Sequence, residues 1–64
     1  MKNFLKSRRI AINLTQKQVA DLVDLAESAY QRYERGERTP NVFMAIRIAK
    51  ALNTTVEELF QIDD

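Results

Sequence analysis

Apolar and polar positions along the chain recur with the helical period, in five short runs separated by polar turn residues. The first run carries Leu5, Arg9 and Ile12, spaced four then three, and predicts a helix from Asn3 as N-cap to about residue 12. Asn13 then suits the left-handed residue that ends a helix. Thr15-Gln16-Lys17-Gln18 reads T-x-x-Q, a capping box that opens a second helix. The apolar stripe of that helix is Val19, Ala20 and Val23, with Leu22 alongside, and Ala20 is small where another helix can cross closely. Asp24-Leu25-Ala26 forms the next turn, with Leu25 expected to point into the core. A third helix is predicted over about 27–35, stopped by Gly36. Tyr30, Tyr33 and Glu34 share its inner face, while Glu27, Ser28, Gln31, Arg32 and Arg35 lie on the outer one.

After the loop Glu37-Arg38-Thr39-Pro40, Asn41 can cap a fourth helix over about 42–52, with the core stripe Ala45, Ile48, Ala49 and Leu52. Phe43, Met44 and Ile46 make this helix apolar over more than one face. Asn53 ends it. Thr54-Thr55-Val56-Glu57-Glu58 then starts a fifth helix with a second capping box, Thr55 to Glu58. Its stripe is Val56, Leu59 and Phe60, and Ile62 continues the apolar character before two acidic residues.

One position in this pattern demands a partner. Arg9 sits among apolar neighbours, and a buried guanidinium is costly unless paired. Glu34 lies on the inward stripe of the third helix as Arg9 does on the first, so the two are expected to form an ion pair that locks those helices together.

Composition narrows the class. At 64 residues the chain reads as one domain, residues 1–64, near the lower limit for a self-sufficient core. It has no cysteine and no histidine, so neither a disulfide nor the usual zinc ligands can supplement that core. Stability is then expected from capped, closely packed helices or from dimerisation. One glycine and one proline argue against a turn-rich β fold, and the expected architecture is a compact all-α domain of five helices. The N-terminal residues lack the apolar run of a signal peptide and no stretch reaches transmembrane length, so the default is a soluble cytoplasmic protein with no membrane partner. The net charge of +1 conceals an asymmetry: residues 1–38 hold eight Lys or Arg against five Asp or Glu, and residues 39–64 hold two against four. A mildly basic front half and an acidic tail suit a nucleic-acid face and a back face.

The ordered set Arg9, Leu14-Thr15-Gln16, Val19-Ala20, Glu34-Arg35-Gly36, Pro40 and Ile48-Ala49-Lys50-Ala51-Leu52 resembles the Cro/repressor (XRE) helix-turn-helix family, over about residues 5–60. The resemblance implies a lambda-repressor-like fold whose helix-turn-helix spans about 15–36, with its third helix reading the major groove of double-stranded DNA. It places Gln16 against a phosphate, base contacts at Glu27, Ser28 and Arg32, and backbone or base contacts at Arg35 and Arg38. It also pairs the helix-one arginine with the helix-three glutamate. The chain departs from the family pattern at Asp24, where a turn glycine is usual, at Ala26, where a Ser or Thr cap is usual, and at Tyr30, where a branched aliphatic is usual.

The chemistry of these side chains fits, and each has a plainer alternative. Arg32 can form two hydrogen bonds to guanine, a contact worth about 1–3 kcal/mol of discrimination, or be a solvated surface arginine. Glu27 can accept from the cytosine amine, or simply favour the positive end of the helix dipole. Ser28 can bind phosphate, Gln31 lies on the same outer face, and Lys17, Arg35 and Arg38 can meet phosphates without sequence preference. Tyr30 and Tyr33 have the spacing of core residues rather than of base-stacking ones. A homodimer on a pseudo-palindrome would double the contacts, with Leu59, Phe60, Ile62 and part of the fourth helix as its candidate surface. The expectation is a sequence-specific transcriptional regulator, most simply a repressor. The competing expectation is an antitoxin-like module on the same fold whose main contact is a protein partner. With no histidine, cysteine, glycine-rich phosphate loop or metal spacing, neither an enzyme nor a cofactor or metal site is expected.

Overall fold

The computed structural model describes residues 2–60. Five helices follow one another: α1 (Leu5–Ala11), α2 (Gln16–Leu22), α3 (Glu27–Glu34), α4 (Val42–Ala51) and α5 (Val56–Leu59). The described residues contain no strand. Helices α2 and α3 pack on each other more extensively than any other pair, and α1, α4 and α5 close around them. Leu5, Val19, Val23, Tyr30, Ile48, Leu52 and Leu59 fill the centre. All four expected core positions of α4 are buried, as are Val19, Ala20 and Val23 of α2.

Four of the helices stop in the same way. The left-handed residues are Asn13, Asp24 and Asn53, with φ of 61°, 56° and 56°, and Gly36, with φ of 74°. Each lies two residues beyond the end of α1, α2, α4 and α3 respectively. At every one the reversed backbone sends two N–H groups back to the last turn. Asn13, Asp24, Gly36 and Asn53 donate to the carbonyls of Ile10, Asp21, Tyr33 and Lys50. The following residues, Leu14, Leu25, Glu37 and Thr54, donate to Arg9, Ala20, Arg32 and Ala49. These are Schellman closures, which satisfy carbonyls that the helix leaves without partners. Asn and Asp tolerate this conformation better than most residues, so three of the four turns dispense with glycine.

The helix starts are more varied. Thr15 accepts from the Gln18 N–H while the Gln18 side chain accepts from the Thr15 N–H, completing the expected capping box. Asn41 caps α4 through Met44. Asn3 caps from one residue further out than expected, because the helix opens at Leu5: its Oδ1 accepts from Leu5 N–H at 3.1 Å and its Nδ2 donates to the Tyr33 carbonyl at 2.8 Å. The second expected box forms by half. Thr55 accepts from Glu58 N–H, but the Glu58 carboxylate accepts instead from the Thr54 hydroxyl at 2.7 Å. Ala26 offers α3 no side-chain cap.

Burial separates the apolar residues at the ends of α2 and α5. Leu22 is 61% exposed, since α2 buries only the stripe facing α3 and α4. Leu59 and Phe60 are 1% and 8% exposed, because α5 is a single turn whose apolar side closes the bottom of the core. Both are interior residues of the single chain and offer little of the area expected of them for a dimer surface; Ile62 lies outside the described residues.

The closures predict a residue-specific response. Asn53→Gly should change unfolding free energy by less than about 1 kcal/mol, whereas Asn53→Val should cost about 1–2 kcal/mol through the clash of its branched Cβ in the left-handed region. Urea unfolding of the two variants measures the difference.

Candidate nucleic-acid interface

The interface is built outward from an ion pair. Arg9 Nε lies 2.7 Å from Glu34 Oε2 and its Nη2 donates to Glu34 Oε1 at 3.4 Å, while Nη1 donates to the Leu14 carbonyl at 2.9 Å. The side chains are 12% and 4% exposed, so the guanidinium and carboxylate satisfy each other in a largely water-free place. This is the expected pair, joining α1 to α3. Burial pushes the Glu34 carboxyl pKa up, but hydrogen bonds from Arg9 and Gln16 and the Arg9 charge outweigh it and hold the group below its ordinary 4.5. The hydroxyl of Tyr30 is buried without a well-formed hydrogen bond, and burial followed by the neighbouring Glu34 charge pushes its pKa up. Tyr30 and Tyr33 are core residues.

A second arginine on α1 was not singled out by the sequence. Arg8 donates through Nε to the Leu52 carbonyl at 2.9 Å and through Nη2 to the Asn53 carbonyl at 2.8 Å, where α4 ends and its dipole is negative. Adjacent arginines therefore tie α1 to both sides of the molecule. The only signal was the Arg8-Arg9 dyad in the last turn of a helix, which does not say what either reaches.

Above the ion pair, the polar residues of α2 and α3 divide into two groups. Gln16 and Gln31 are half-buried and bonded together: Gln16 Nε2 donates to Glu34 Oε1 at 3.1 Å, and Gln31 Nε2 donates to Gln16 Oε1 at 3.1 Å. Gln31 thus leans toward α2 rather than lying wholly on the outer face. Lys17, Glu27, Ser28, Arg32, Arg35 and Arg38 are exposed. Lys17 has an exposed ion pair with Asp21 at 3.5 Å and Arg35 one with Glu37 at 3.8 Å, contacts weak enough to exchange for a phosphate. Arg32 and Arg38 have no ion pair among the described residues. Glu27, Ser28, Gln31, Arg32 and Arg35 share one side of α3 by their spacing.

The turn that departs from the family pattern keeps its geometry. Asp24 takes the left-handed conformation at φ 56°, and its carboxylate lies 3.6 Å from Arg47 of α4. Leu25 packs against the core.

Among the described residues, no cluster of His, Cys, Asp or Glu is suited to hold a metal, and no helix is long and apolar enough to cross a membrane.

The ion pair predicts two measurable effects. Removing one partner leaves a buried charge alone, so Arg9→Met or Glu34→Gln should each cost about 3 kcal/mol, and the double variant Arg9→Met/Glu34→Leu should be more stable than either single one. Glu34 titrates lower in the folded chain than its ordinary 4.5, so its contribution is full above 4.5 and declines as pH falls through the folded value. Thermal melts across that acid range should show a slope in the parent that is reduced in Glu34→Gln.

Comparison with known proteins agrees with this architecture. The family model described as "Helix-turn-helix" matches residues 5–59. The chain is 39% identical over 59 residues to the transcriptional repressor RstR of the cryptic phage CTXphi from Vibrio cholerae, covering 92% of this chain and 53% of that protein. It therefore spans about half of that relative's length. An uncharacterized HTH-type transcriptional regulator of Methanocaldococcus jannaschii is 33% identical over 64 residues, covering 100% of this chain and 97% of its own. A regulator of the same description from Bacillus subtilis, YgzD, is 25% identical over 64 residues, with 100% and 97% coverage. Neither the family nor these relatives are described as enzymes. With the match extending from the first residue of α1 to the last of α5, the chain belongs to the helix-turn-helix family in its Cro/repressor (XRE) form, a family of DNA-binding transcriptional regulators.

Proposed function

We propose that the chain is a sequence-specific repressor that reads the major groove with the outer face of α3, acting as a homodimer on a pseudo-palindromic operator. The observation that carries this reading is the two-sidedness of α3. Its inner row, Tyr30, Tyr33 and Glu34, is fixed in the core and the ion pair, whereas Glu27, Ser28 and Arg32 stand exposed. A helix anchored on one side with free polar groups on the other can enter a groove without rearranging the domain. Arg32 supplies the guanine-type contact, Glu27 the cytosine-type one, and Gln16, Lys17, Ser28, Arg35 and Arg38 supply phosphate contacts. Repression in particular is supported by the likeness to the phage transcriptional repressor RstR.

A dimer needs apolar surface other than Leu59 and Phe60. Val42, Phe43 and Ile46 form an exposed strip at the start of α4, with Phe43 77% exposed. A second copy would cover this strip and set half-sites about 34 Å apart on the duplex. A different protein bound to the same strip is the second reading, favoured by the same exposure; it is the antitoxin-like alternative.

Selection from random duplexes, with particle mass measured in solution, tests the proposal. A pseudo-palindromic consensus bound by two copies is expected, with Phe43→Ser lowering the mass to one copy. Arg32→Ala should lose about 1–3 kcal/mol of preference at one base pair per half-site, whereas Lys17→Ala should weaken all duplexes alike. Equal binding to selected and random duplex at moderate salt would sink the reading.

A further inference from the structure

The two glutamines form a hydrogen-bond chain whose direction is dictated from the core. Glu34 is ionised, so it can only accept, and Gln16 must turn its NH2 toward it. That orientation leaves Gln16 Oε1 on the other side, where only a donor is tolerable. Gln31 Nε2 sits there at 3.1 Å. No other assignment of the two amides puts a donor against every acceptor. The chain therefore runs one way, Gln31 to Gln16 to Glu34, with Arg9 holding the far end in charge.

We infer that Gln31 is a positioning residue for Gln16, serving its contact with a DNA phosphate; this rests on the DNA-binding reading above. A phosphate oxygen accepts hydrogen bonds and is repelled by a carbonyl oxygen. Gln16 has three groups to arrange: one N–H goes to Glu34, Oε1 is covered by Gln31, and the second N–H is left for a ligand. With Gln31 in place, Gln16 offers a donor and hides its acceptor. Without it, Oε1 is exposed beside the approaching phosphate and the amide is held at one end only. Gln31 thus acts through its neighbour on α2, at the point where α3 and α2 meet.

A double-mutant cycle on binding to a random duplex at fixed salt tests this, using Gln16→Ala, Gln31→Met and the double variant of the full chain. Gln31→Met nearly conserves volume and removes the donor. It should weaken binding about fivefold in the parent and leave the affinity of Gln16→Ala unchanged. It should leave the base preference found by selection unaltered. In the free protein it should also shift the Gln16 side-chain amide resonances. Equal losses in both backgrounds, or an altered base preference, would overturn the inference by making Gln31 a direct contact. Unmoved Gln16 resonances would overturn it independently of DNA. If the parent binds no duplex at all, the DNA-binding reading itself fails.

Discussion

The placement of α3 depends on one buried charge pair. A helix of eight residues is too short to hold a fixed orientation by itself, and under the proposed function its outer face must stay free for the groove. The inner face therefore has to supply all the anchorage. Tyr30 and Tyr33 give it apolar area, which resists separation but tolerates rotation. Arg9 and Glu34 add direction, because a two-point guanidinium–carboxylate contact is satisfied at one orientation. Arg9 also holds the Leu14 carbonyl, just before α2, so one guanidinium references both halves of the helix-turn-helix to α1. The cost of burying the pair is offset by the three elements it aligns.

The repeated Schellman closures solve a second problem. The connections between helices are short, and each must reverse the chain without leaving helix carbonyls unsatisfied. One left-handed residue per turn does this locally, and the apolar residue after it at Leu14 and Leu25 packs onto the core. The angle between α2 and α3 is then set twice, by the Asp24 turn at one end and by the Gln31–Gln16–Glu34 contacts at the other. Asp24 in place of a glycine is compatible with this geometry, and its contact with Arg47 connects the same turn to α4.

Much of this was legible in the sequence because it is local or strongly patterned. The capping box at Thr15, the stops at Asn13, Gly36 and Asn53, and the stripe of α4 are short-range chemistry. The Arg9–Glu34 pair was readable because a charge on an apolar stripe demands a partner on another stripe. What was not legible depends on how the helices cross. Leu22 and Leu59 have similar local settings, yet one is exposed and the other sealed, since α5 caps the core while the end of α2 leaves it. Gln16 and Gln31 meet only because α2 and α3 cross where they do, and no spacing within either helix announces it. The Glu58 carboxylate accepts from the Thr54 hydroxyl rather than from the Thr55 backbone N–H, a choice between two neighbouring donors that sequence pattern does not distinguish.

The central claim is that α3, braced from behind by Glu34, presents its outer face to DNA while the core stays as it is. Mapping amide and side-chain resonances during titration with a duplex carrying the selected site tests it most directly. The account predicts shifts concentrated at Gln16, Lys17, Glu27, Ser28, Gln31, Arg32, Arg35 and Arg38, with Tyr33 and the interior of α4 little changed. Shifts centred instead on α5 or the end of α1, with the outer face of α3 unmoved, would contradict it.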